Sequence, residues 1–199
     1  MKTAYTITIA SVVALSLTAC QQGPSPEMQE LADKAAIEEL LINYYSHFGG
    51  SENEDFAAYY TEDAIFDVNG IVLEGHEEIV GLYDGVVPSD GEQEQVEEAE
   101  PQEATPAGEE GQFRMVVSNI RVDIDGDTAE AEMFWTGVMN SDPYERPNLA
   151  EQGREFDQFE RQEDGSWLIT HRVVIADSGI PEMYRETYVP RPDFSFDAE

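Results

Sequence analysis

The chain predicts an α+β domain in which N-terminal helices cover one face of a curved antiparallel sheet. Three observations carry this reading. Apolar residues recur at helical spacing only in the first part of the chain. The second part is a run of long segments that read as strands. Tight-turn pairs, Asn69-Gly70 and Asp125-Gly126, join neighbouring segments as two-residue hairpins do. Helices first and strands afterwards is the order of an α+β domain.

The elements follow in order. Met28 to Phe48 places Leu31, Ala35, Leu40, Leu41, Tyr44 and Tyr45 near helical spacing, and Gly49-Gly50 stops the helix. Asp55 to Tyr60 predicts a second, short helix. Ile65–Val68 and Ile71–Leu73 flank Asn69-Gly70 as a hairpin, and His76–Gly85 predicts a third helix after Gly75. Phe113–Ile124 and Thr128–Met139 form a hairpin about Asp125-Gly126. Gly153–Arg161 and Ser166–Ala176 form another about Glu163-Asp164-Gly165. The stretch from Ser178 is aromatic but carries Pro181, Pro190 and Pro192, so it is expected to wrap the domain irregularly.

Two segments fall outside this plan. Residues 88–111 are acidic, lack a base, carry Pro88, Pro101 and Pro106, and hold almost nothing apolar, which predicts a disordered insertion. Residues 1–19 have Lys2, an apolar stretch and small residues before Cys20, the layout of an export signal. The expected division is a signal over 1–19, a tether over 20–27, a domain over 28–178 and an irregular extension over 179–199. The site ending on Cys20 resembles the lipobox of bacterial lipoproteins. That resemblance implies a lipid on Cys20, the chain's single cysteine, and a place in the cell envelope. Gln21 after it implies the periplasmic face of the outer membrane.

Charge excludes one class of partner. With 43 acidic residues against 10 basic ones, the net charge is −33, and such a surface repels nucleic-acid backbones. Anionic headgroups are disfavoured too, so the membrane contact is expected to rest on lipid alone.

Short segments along the chain resemble the SnoaL-like branch of the nuclear transport factor 2-like superfamily. They are Ala36-Ile37 with Leu40 and Tyr44, then Tyr59-Tyr60-Thr61-Glu62-Asp63-Ala64, Gly75 with Ile79, and Ser118-Asn119-Ile120. Asp125 to Ala129, Gly153-Arg154 with Asp157, Phe159 and Arg161, and Asp164 to Trp167 with Arg172 complete them. The resemblance implies a cone-shaped fold with a pocket between the sheet and the first helices. It also implies, for the lyase members, a His–Asp dyad that abstracts a proton. The dyad positions fall on Met115 and Gly49, and neither side chain can act as a base.

The remaining chemistry is thin. His47, with Asp67 or Glu74 beside it, is one candidate base, and a buried Asp67 or Asp157 is another. His76 is expected to face water, and His171 to point away from Arg172 by strand parity. No histidine pair has metal-site spacing, Asp123 to Asp127 reads as a turn, and neither a metal nor a cofactor is expected. Tyr44, Phe48, Met115, Met133 and Trp135 would line an apolar pocket, with Asn119 and Arg172 at its polar end. Small residues such as Gly137 beside Trp135 are expected to leave space there. Ile120, Val122 and Ile124 have the opposite parity to Met115. Either a bulge shifts the register, or the outer face is buried in a homodimer through the sheet. The reading that follows is a lipid-anchored module for a small lipophilic or aromatic molecule. A lyase or isomerase with a relocated base and a protein-interaction scaffold are the alternatives.

Overall fold

The computed structural model describes residues 25–47, 53–86, 112–140 and 144–196. The segment expected to be an export signal, Cys20, Phe48, Gly49 and the acidic tract lie outside them. Helix α1 spans Pro26–His47 and buries Asp33, Ile37, Leu41, Tyr44 and Tyr45. This stripe is rotated from the expected one, for Leu31 is 63% exposed and Ala35 also faces out. The cause is Asp33, which no apolar pattern reveals. Its carboxylate accepts from Arg161 Nη1 at 2.6 Å and Nη2 at 2.7 Å, while the guanidinium stacks 4.4 Å from the Trp167 ring. A charge hidden in this paired form docks the helix start onto the far end of the sheet.

The Arg161 hydrogen bonds hold the Asp33 carboxyl below its ordinary range, against the opposing pull of burial. Stability from a depressed carboxyl is present above its unfolded pKa of about 3.9 and is lost as pH falls through the folded value. Arg161→Ala is therefore expected to cost about 1–2 kcal/mol at neutral pH. Urea unfolding of both forms should show that difference shrinking as the pH is taken below about 4.

A 3₁₀ segment, Asn53–Tyr59, leads into β1, Tyr60–Val68, and β2, Ile71–Glu74. Asn69 and Gly70 between them have φ of 52° and 89°, the paired positive values that a tight hairpin turn demands. Helix α2, Gly75–Val86, follows, and then β3, Gln112–Asp125, β4, Thr128–Asn140, β5, Asn148–Arg161, and β6, Trp167–Ser178. They form one six-stranded sheet in the order β2-β1-β6-β5-β4-β3. All neighbours are antiparallel except β1 and β6, which run parallel with Phe66 opposite Arg172. Local pattern could not reveal that pair, because nearly the whole domain separates its strands.

The parity of β3 is settled by a bulge. Its register to β4 shifts between Ser118 and Arg121, and Asn119 takes a φ of 56°. Before the bulge Met115 and Val117 pack on the core, and after it Ile120, Val122 and Ile124 do so. Asn119 itself is turned to solvent.

Beyond β6 the chain turns at Gly179, makes a 3₁₀ turn over Glu182–Tyr184, and crosses to the outer face of the sheet. It is held by side chains more than by a ladder. Arg191 clamps Asp67 at 2.8 and 3.1 Å, Tyr188 Oη donates to Ala176 O at 2.7 Å, and Phe194 lies 4.9 Å from Phe156.

Candidate functional site

The interior between α1 and the concave sheet face is built around charge. Alternation along β5 turns Gly153, Glu155, Asp157 and Phe159 inward. On β6, Trp167 and Ile169 point inward, and simple alternation would send His171 after them. The β5–β6 register instead steps from Phe159 opposite Ile169 to Gln158 opposite His171, leaving Thr170 as an extra residue. That bulge turns Arg172 inward and His171 out, where its ring lies 5.0 Å from Phe196.

Arg172, Glu155 and Asp157 are all 0% exposed. Arg172 Nε donates to Asp157 Oδ1 at 2.7 Å, and Nη1 donates to Tyr60 Oη at 3.2 Å. Its guanidinium lies 4.1 Å from the centre of the Tyr44 ring, and Tyr60 Oη donates to Tyr44 Oη at 3.3 Å. Tyr45 Oη donates to Glu155 Oε2. Arg172 Nη2 forms an ion pair with Glu155 Oε1 at 3.1 Å, and neither atom makes a hydrogen bond. Asp157 Oδ2 is likewise without one.

Protonation follows from this burial. Loss of water pushes the Glu155 carboxyl well above its ordinary range. Arg172 pulls it back, and the Asp157 carboxylate beside it adds to the rise. Burial first and Glu155 second also raise the Tyr45 phenol, which therefore stays a donor. Burial thus favours the neutral form of Glu155 beside the Arg172–Asp157 ion pair. Chemically the cluster brings two carboxyl groups, a guanidinium and the Tyr45 and Tyr60 hydroxyls together within one small volume.

The residues singled out from sequence divide between this site and elsewhere. Tyr44, Met133, Trp135, Asp157 and Arg172 are buried on the inner side, and Met115 is half-buried against the same core. Asn119 faces solvent and is not beside Arg172. Asp67 points to the outer face, where Arg191 and the Gly70 amide occupy it, so it is no interior base. His47 ends α1, and its side chain, like Phe48, lies outside the described residues. His76 is half-buried rather than open to water, with Nε2 3.0 Å from the Tyr60 carbonyl oxygen. Gly137 and Gly153 do not leave space. A Cβ on Gly137 would sit 2.7 Å from Phe113 Cζ, and one on Gly153 would sit 2.5 Å from Trp135 Cζ2. Glu155 was not foreseen, although its parity with Asp157 and Phe159 carried the signal.

An open depression of about 540 Å³ lies at the opposite end of the sheet, lined by Asp123, Glu130, Gln158, Glu160 and Thr170 among others. It gathers carboxylates of one sign but no orphaned buried polar atom, so the interior cluster is the stronger candidate. Among the described residues, no group of three or more His, Cys, Asp or Glu side chains is arranged to hold a metal.

A sequence model of the SnoaL-like domain matches residues 29–173. The chain belongs to the SnoaL-like family. Solved structures agree on the fold of this SnoaL-like domain. An NTF2-like protein of cystatin-like fold from Novosphingobium aromaticivorans is 18% identical, with a TM-score of 0.57 over 81% of this chain and 92% of its own. A candidate scytalone dehydratase from the same organism is 16% identical, with a TM-score of 0.55 over 75% of this chain and 87% of that one. A protein from Catenulispora acidiphila, solved in complex with S-DNPA, is 16% identical, with a TM-score of 0.56 over 74% and 95%. No curated protein matches the chain. The SnoaL-like family joins small-molecule-binding and enzymatic proteins, and membership does not by itself choose between them.

Proposed function

We propose that this SnoaL-like domain binds a small lipophilic or aromatic molecule between α1 and the concave sheet face. Glu155, Asp157 and Arg172 meet the molecule's polar group. The carrying observation is a fully buried cluster of two carboxyl groups and one guanidinium in which Asp157 Oδ2 makes no hydrogen bond and Glu155 Oε1 and Arg172 Nη2 meet only as an ion pair. Each unmet buried polar atom costs about 1–3 kcal/mol, and a ligand bearing both donor and acceptor would satisfy them together. Tyr44, Met133 and Trp135 supply the apolar walls. The S-DNPA complex of a fold neighbour supports ligand binding within this fold. The family's dyad plays no part here, since Met115 stands at one of its positions and Gly49 at the other.

One observation favours catalysis as a second reading. A buried carboxyl favoured in its neutral form, beside an arginine-paired carboxylate and a tyrosine hydroxyl, suits proton transfer in a lyase or isomerase. The Asp157 carboxylate would then be the relocated base and Glu155 the acid, in place of His47 or Asp67. The proposal keeps the lipid on Cys20 and an envelope location, both supported by the layout of residues 1–20.

A thermal-shift screen of aromatic alcohols, ketones and acids tests the binding reading. A compound at 100-fold excess over its Kd should add about 2.7 kcal/mol to the wild type. It should add nothing to a variant carrying Arg172→Met, Glu155→Leu and Asp157→Leu. An equal shift in that variant would move the ligand away from this site. Turnover of any hit by the wild type, abolished in Glu155→Gln, would select the enzyme.

A further inference from the structure

The charged cluster is shut from solvent, so a ligand that reaches it needs an entrance, and the segment after β6 stands over one. Register locates the mouth. Asp33, Arg161 and Trp167 pin the start of α1 at one end of the sheet, while Tyr45 near its other end meets Glu155. At that second end lie the start of β5, the end of β6 and the Asn69-Gly70 turn. The C-terminal segment passes over all three. Gly179 approaches Ala150, and a Cβ there would sit 2.1 Å from the Ala150 carbonyl oxygen. Thr187 Oγ1 donates to Asn69 O at 3.2 Å. Between these points Tyr184 is 7% exposed and belongs to the same buried core cluster as Tyr44. Tyr44 in turn stacks on Arg172.

What holds this segment differs from what holds the sheet. Its backbone makes its own 3₁₀ turn rather than a ladder with a neighbour. Its attachments are side chains on the outer face. Arg191 pairs with Asp67, Arg154 donates to the carbonyls of Arg191 at 3.1 Å and Pro192 at 3.0 Å, and Phe194 packs on Phe156. The family match ends at Val173, before the segment begins. Elements held by few ladder bonds open at lower free energy than the strands beneath them.

We propose that residues 178–196 form a strap that gates the interior site, with Tyr184 as its plug and the Arg191–Asp67 ion pair as its latch. This rests on the binding reading for its purpose, but its mechanics can be tested without a ligand. Native-state hydrogen exchange of the wild type should show amides of 182–191 opening at least 30-fold more often than those of β5 and β6. Arg191→Ala, which touches nothing in the interior, should raise strap opening a further tenfold and leave the slowest amides of β5 and β6 unchanged. Acrylamide quenching of Trp135, followed with Trp167→Phe as background, should rise at least threefold in the same variant. Strap amides that exchange only together with the sheet would make the segment a fixed part of the core and overturn the proposal. So would Trp135 quenching that stays flat after the strap has been released. With 1-anilinonaphthalene-8-sulfonate as an aromatic probe, Arg191→Ala should speed association at least fivefold. If the probe binds neither form while exchange and quenching behave as stated, the gate stands and the binding reading fails.

Discussion

Arg172→Ala is expected to destabilise the domain by about 3–5 kcal/mol, more than any other single change considered. The substitution leaves Glu155 and Asp157 facing each other in a water-free interior without their cation. It also removes the group stacked on Tyr44 and bonded to Tyr60. For a domain of this size that loss lowers the melting temperature by roughly 6–20 °C. Charge, not volume, is the cause, and a second variant separates the two. Arg172→Met combined with Glu155→Leu and Asp157→Leu exchanges the ion cluster for apolar packing, and should recover most or all of the stability. Should the triple variant prove as unstable as Arg172→Ala, packing around the guanidinium would be the real support.

The second large effect concerns Glu155 and runs against ordinary expectation for a buried acid. Its carboxyl is raised in the folded state, chiefly by burial, so the protonated form is the one the fold prefers. Stability from such a group is fully present below its unfolded pKa of about 4.3 and is lost as pH rises through the raised folded value. Glutamine mimics the protonated acid at nearly the same volume and carries no charge at any pH. Glu155→Gln should therefore match the wild type within about 0.5 kcal/mol at pH 4 and grow progressively more stable than it as pH rises. Each unit by which the folded pKa exceeds the unfolded one widens the gap by about 1.4 kcal/mol. Chemical denaturation at a series of pH values reads this directly. A wild type that gains on the variant with rising pH would place the negative charge on Glu155 and make Arg172 its partner.

Much of the fold was legible because turns and periodicity are local. Asn69-Gly70 and Asp125-Gly126 marked their hairpins, and both helices fell where their patterns predict. What escaped the sequence was non-local. Asp33 counts as polar in any pattern, yet Arg161, distant in sequence, is what hides it. The parallel pairing of β1 with β6 also joins distant segments. The site was legible in part, since Arg172, Asp157, Tyr44, Met133 and Trp135 all fall on the inner side. Asn119 shows why the rest was not. A one-residue bulge turned Asn119 out of β3, and the parity conflict that left a bulge open did not say which residue it would displace. Glu155 was hidden by the habit of assigning glutamate to the solvent side of a strand.

Native mass spectrometry of residues 21–199 tests the central claim most directly. The account predicts that the wild type retains a small molecule, and that the Arg172→Met, Glu155→Leu, Asp157→Leu variant emerges without it. A wild type that carries nothing, and gains no stability from any aromatic compound offered to it, would contradict a binding site at Arg172. So would a variant that keeps the same molecule.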